Sequence, residues 1–79
     1  MEVVYDFEST LGRIYEIKRT DLPSTVPKHE RFQWYWNNQP LTILQVEGSK
    51  RFFTNGWILH LQELTLTCPG ETHTLEISS

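Results

Sequence analysis

At 79 residues, with a net charge of −3 and a single cysteine, Cys68, the chain is bounded as one small domain that has no internal disulfide framework. Its acidity argues against a protein whose main partner is a phosphate backbone, and no apolar run reaches the roughly 20 residues a transmembrane helix needs. The segment from Met1 to Tyr5 runs directly into a strand pattern without a basic or apolar leader, so the expectation is a cytoplasmic, intracellular protein.

Three Trp, four Phe and three Tyr make a dense core possible in a chain of a size that buries only about 60% of its unfolded surface. Gly, Pro, Asn and Ser punctuate segments rich in Val, Ile, Thr and aromatics at roughly 8–12-residue spacing, an all-β pattern. The expected fold is a small antiparallel barrel or orthogonal sandwich of about six to seven short strands, mostly connected as a meander, with no helix.

The first hairpin joins residues 2–8 to residues 13–20 through Thr10-Leu11-Gly12, read as a three-residue loop with Gly12 left-handed. That register sets Phe7 against Tyr15, Tyr5 against Ile17 and Asp6 against Glu16. Opposed carboxylates are one way to build an acid–base pair or a cation site, but no other group converges on them, and screening by Lys18 and solvent is the preferred reading. No catalytic residue is assigned.

Residues 21–30 carry Pro23 and Pro27, which cannot join a ladder, and are read as a crossing between sheet edges. Strands over residues 31–37 and 41–47 follow, joined by Asn38-Gln39-Pro40. The stretch from Trp34 to Leu41 resembles the third strand and turn of an immunoglobulin domain, over eight residues only. No paired cysteine precedes it and no Asp-x-Gly-x-Tyr-x-Cys follows, so membership is not assigned.

Gly48-Ser49, as a two-residue loop, leads into residues 50–54 and sets Glu47 against Lys50, Val46 against Arg51, Gln45 against Phe52 and Leu44 against Phe53. Asn55-Gly56 between Phe53-Thr54 and Trp57-Ile58 is the strongest hairpin signal in the chain. As a two-residue loop it sets Thr54 against Trp57, Phe53 against Ile58, Phe52 against Leu59 and Arg51 against His60. In the strand over residues 57–67 the apolar phase changes near Gln62-Glu63, which we read as a bulge bending one long strand around the corner of a closed barrel. A turn over residues 68–71 and a strand over residues 73–78 end the chain.

Two faces follow from this register. Phe32, Trp34, Trp36, Leu41, Ile43, Phe52, Trp57, Leu59 and Leu61 form the expected core, with Trp34 structural rather than a stacking platform. On the opposite face Tyr35, Leu44, Val46, Phe53 and Ile58 form an apolar patch, with Arg31, Arg51 and His60 on its rim. Such a patch marks an interaction site if the face is open, and a second core layer if the first hairpin covers it.

These eight residues, Arg31, Tyr35, Leu44, Val46, Arg51, Phe53, Ile58 and His60, are the candidate binding site. The expected function is that of a non-enzymatic module, a small regulator, inhibitor or adaptor, binding a protein partner or a second copy of itself through the outer sheet face. The alternative is a barrel that binds single-stranded nucleic acid or a small ligand, on the interleaving of Arg31, Arg51 and His60 with Tyr35 and Phe53. His29, His60 and His73 have no zinc-type spacing with Cys68, which reads as an inert buried thiol, so no metal or cofactor is expected.

Overall fold

The structure, a computed structural model, describes residues 2–77. Ser78, where the last strand was expected to end, lies outside the described residues, as does the side chain of His29. The all-β expectation holds: the described residues form ten strands, β1 (Glu2–Glu8), β2 (Arg13–Lys18), β3 (Phe32–Trp36), β4 (Gln39–Leu41), β5 (Ile43–Glu47), β6 (Lys50–Phe53), β7 (Ile58–His60), β8 (Thr65–Cys68), β9 (Glu71–Thr74) and β10 (Glu76–Ile77). They make two antiparallel sheets packed as a sandwich, β10-β1-β2-β3-β4 on β5-β6-β7-β8-β9. Among the described residues no helix is long and apolar enough to cross a membrane.

Of the two expected architectures the sandwich is formed and the closed barrel is not. The chain changes sheet at Thr42, between β4 and β5, and again at Leu75, between β9 and β10. Each crossing is held by a backbone bond: Thr54 N–H donates to the Thr42 carbonyl at 3.0 Å, and Leu75 N–H to the Leu64 carbonyl at 2.8 Å. The apolar phase change near Gln62-Glu63 is not a bulge either. Residues 61–64 form a turn that reverses the chain, so that β7 and β8 pair as a hairpin with Leu59 opposite Leu66. A hairpin of this loop length and a bulge shift the phase alike, which is why periodicity did not separate them.

Two further turns differ from expectation. Asn37 and Asn38 both take positive φ, 46° and 69°, the type I′ pattern that asparagine tolerates, so the β3–β4 loop is these two residues and Trp34 pairs with Leu41. The shift is of two residues, and the faces of β3 survive it. At β6–β7, only Gly56 takes positive φ, 89°, while Asn55 uses its Oδ1 to accept the Trp57 N–H at 3.0 Å. Thr54-Asn55-Gly56 is therefore a three-residue loop closed by Phe53 N–H to the Trp57 carbonyl.

That one-residue difference moves Arg51 opposite Leu59 and Phe52 opposite Ile58. Side chains at odd positions of both strands, Phe53, Trp57 and Leu59, now share the inward face, and this apolar gain favours the longer loop over the tight one. The core gathers Phe7, Ile14, Trp34, Leu41, Phe53, Leu59, Leu66, Cys68 and Leu75, with Trp36, Ile43, Trp57, Leu61 and Leu64 packed around it. Phe52, expected in the core, faces outward in the same move.

The first hairpin is also shifted by one. Ser9 and Gly12 exchange both backbone bonds, leaving Thr10-Leu11 as the loop, so Phe7 pairs with Ile14, Asp6 with Tyr15 and Tyr5 with Glu16. The carboxylates of Asp6 and Glu16 thus lie on opposite faces of the sheet. Residues 21–30 do not cross between sheet edges: they join β2 to its antiparallel neighbour β3 and end in one 3-10 turn, Lys28–Arg31, entered from Pro27 at φ −53°, where no helix was expected. Arg31 ties this segment down through Nε to the Val26 carbonyl and Nη2 to the Ser24 carbonyl.

Candidate functional site

The eight candidate residues do not form one surface. Phe53 is 1% exposed and belongs to the core, against the edge of the Trp34 ring at a centroid distance of 6.3 Å. Arg51, two residues before it, shares its inward side. Ile58 and His60 lie on the outer face of the second sheet, opposite Phe52 and Lys50. Tyr35 lies on the outer face of the first sheet, stacked on Tyr15 at 5.2 Å, and Arg31 is spent on loop carbonyls. The cation row that suggested nucleic acid is therefore dispersed over three places.

The outer face of the first sheet is closed within itself. Arg13 forms a two-bond pair with Asp6 and lies 4.5 Å over the Tyr15 ring, whose hydroxyl donates to Asn38 Oδ1 at 2.7 Å. Asp6, Arg13, Tyr15 and Tyr35 are thus engaged with one another, which suits a structural ladder better than a receptor for a ligand.

Leu44 and Val46 keep their place at a surface, for a reason not visible in the sequence. A bulge on β5 sets Ile43 opposite Phe53 and Gln45 opposite Phe52, leaving Leu44 without an opposite residue and 71% exposed. Val46, half exposed, points to the interior side at the edge. β5 has a strand neighbour on one side only, so half of its backbone groups face outward from the sheet edge.

Beside this edge the two sheets part. Two adjoining clefts, of about 510 and about 300 Å³, share Phe32, Ile43 and Val46 in their walls. The larger continues past Trp34, Leu41 and Leu44; the smaller past Val4, Tyr5, Glu16 and Arg51. Of the seven exposed large apolar residues among the described residues, four, Val4, Tyr5, Leu44 and Val46, line these clefts. A second bulge, on β1 between Val3 and Tyr5, turns Val4 toward the opening.

Glu16 is the group in the smaller cleft that sequence reasoning placed wrongly. It is 6% exposed, on the inward face of β2 opposite Trp34. Burial pushes its carboxyl above the usual carboxylate range; Arg51 from the other sheet and the nearby Trp34 indole pull the other way. The indole Nε1 lies close enough to act on this charge, yet among the described residues it has no acceptor at hydrogen-bonding geometry. The alternation of polar Glu16 with apolar Tyr15 and Ile17 had pointed outward, and only the shifted register turns it in.

The remaining reactive residues are elsewhere. Cys68 is buried in the core, with its thiol raised by burial, and His73 lies against Thr10 through Nδ1 at 3.0 Å and Glu71 at 3.3 Å. Among the described residues no group of three or more His, Cys, Asp or Glu could hold a metal ion. No family model matches the sequence, and neither a curated protein nor a solved structure is significantly similar to it.

Proposed function

We propose that the protein is a non-enzymatic protein-interaction module, a regulator, inhibitor or adaptor, which takes an extended segment of a partner protein along β5. The observation that carries this reading is the coincidence of an unpaired strand edge with the clefts that hold Val4, Tyr5, Leu44 and Val46. A strand added to β5 satisfies its outward backbone groups, and every second side chain of that strand meets the apolar walls. The site thus lies at a sheet edge, not on the outer sheet face.

Selection from a displayed library of random peptides against the intact protein tests it. The expected result is enrichment of extended sequences with alternating apolar residues, whose binding Leu44→Asp and Val46→Asp abolish at unchanged melting temperature. Peptides that bind both variants as well as the parent protein would refute the β5 edge as the site. Sedimentation at increasing concentration separates this from pairing of β5 with a second copy, which would appear as dimer in the absence of peptide.

A further inference from the structure

The smaller cleft is lined by two polar groups that do not pair with each other, Glu16 and Arg51. Glu16 contributes a nearly fully buried carboxyl, and among the described residues it forms no ion pair with Arg51. Arg51 uses Nη1 on the Gly48 carbonyl at 2.6 Å and more weakly on that of Lys50, leaving Nε and Nη2 without a described acceptor. Trp34 Nε1 lies behind Glu16, fully buried and outside the lining of this cleft. Charge-assisted hydrogen bonds are about twice as strong as neutral ones, so a ligand that bonds both groups gains more than its contact area provides.

We infer that this cleft takes a primary carboxamide, supplied as the side chain of a Gln or Asn in the bound segment. The attribution to a segment rests on the interaction-module reading above; the chemistry of the cleft does not. Acceptor and donor come from opposite sheets, and a carboxamide is the neutral group that presents both complements at once: its NH₂ donates to Glu16 while its carbonyl accepts from Arg51. An ammonium would meet Glu16 but face Arg51 with like charge and offer no acceptor. A carboxylate would meet Arg51 but face Glu16, and either ion must be desolvated on entry. The walls, Val4, Tyr5, Phe32, Ile43 and Val46, are apolar and suit the methylene stem of such a side chain. At about 300 Å³ the cleft lies at the small end of ligand-site volumes, in keeping with one side chain rather than a cofactor.

The test is a ¹H–¹⁵N titration of the intact protein with four probes of equal carbon number, butyramide, butyrate, butylammonium and 1-butanol. The expected result is saturable movement of the Trp34 Nε1–H and Arg51 Nε–H resonances with butyramide, and binding at least about tenfold weaker for the two ions and the alcohol. Glu16→Leu and Arg51→Met should each remove the butyramide response; where a variant fails to fold, the probe series on the parent protein decides. Butylammonium or butyrate binding as tightly as butyramide, or no saturable movement with butyramide, overturns the inference. Peptides that bind at β5 with no preference for Gln or Asn would overturn it too, while leaving the interaction-module reading intact.

Discussion

Phe53 and Trp57 close the β6–β7 turn across a 2.9 Å bond from the Phe53 N–H to the Trp57 carbonyl, and both rings lie on the inward side of the sheet. This pairing decides which half of each strand is core. Phe53→Ala should therefore cost about 3–5 kcal/mol in denaturant unfolding, through the cavity it leaves against Trp34. Phe53→Glu should not fold at all, since a carboxylate there would be buried and unpaired. A folded, soluble Phe53→Glu protein would contradict the inward placement.

How much of this was legible in the sequence can be judged residue by residue. The all-β class, the antiparallel order within hairpins and the burial of Trp34 and Leu59 were readable, because alternation and turn residues encode them locally, whereas the strand expected over residues 57–67 is the β7–β8 hairpin. The register at Asn55-Gly56 was not. A two-residue and a three-residue loop share the same turn residues, and the choice is made by the contact of Phe53 with Trp34 and of Trp57 with Trp36 at 5.1 Å, which are tertiary. The bulges at Val4 and Leu44 are likewise products of packing, and they, not the strand pattern, place the apolar residues of the clefts. Glu16 illustrates the consequence: one residue of register separates a solvated carboxylate from a buried one.

Trp34 is fully buried, yet among the described residues its indole N–H, though near Glu16, has no acceptor at hydrogen-bonding geometry. Trp34→Ala should cost about 3–5 kcal/mol, as a large cavity in a small core does. Trp34→Phe should cost clearly less than this, since it keeps most of the ring volume and removes the orphaned donor. Equal losses for the two variants, measured by urea unfolding, would mean that the N–H is bonded after all.

Gly12 sits at φ 152° with the Asn37 side chain so close that an added Cβ would lie 2.5 Å from its amide atoms. Asn37 cannot easily withdraw, because its Oδ1 accepts the Arg13 N–H and its own N–H donates to the Arg13 carbonyl. Gly12→Ala should destabilise the fold by about 1–3 kcal/mol through combined strain and displacement of this turn. Gly48→Ala, where a Cβ meets nothing within 4 Å, should show only the smaller cost of positive φ. Thermal unfolding of the two variants side by side measures the difference.

The buried carboxyl of Glu16 sets a pH dependence with a definite sign. Its folded-state pKa is raised, chiefly by burial, so between the ordinary glutamate value and that raised value the native state holds a proton that the unfolded chain has released. Stability from this group is complete below the unfolded value and declines as pH rises through that window. Asp21, held at about 2 by Arg19, acts in the opposite direction at lower pH, but it is fully exposed and its pair is screened by solvent. Glu16→Gln should flatten the stability profile above the glutamate range and raise the melting temperature at neutral pH. A profile unchanged by Glu16→Gln would place the carboxyl in solvent.

The β5 edge makes the opposite kind of prediction from the core, because its apolar residues are already in water. Leu44 is 71% exposed and Val46 50%, so Leu44→Asp and Val46→Asp remove little buried area and should change unfolding free energy by no more than about 0.5–1 kcal/mol. Retention beyond solvent on a hydrophobic-interaction column should fall for both, because the substitutions break up one apolar strip next to the clefts. Ile58→Asp, on the outer face of the same sheet and only partly exposed, provides the contrast: it should cost more stability and leave peptide binding at β5 unchanged. If Ile58→Asp abolished binding while the two β5 variants did not, the partner would bind the outer sheet face and the edge would be merely solvent-exposed.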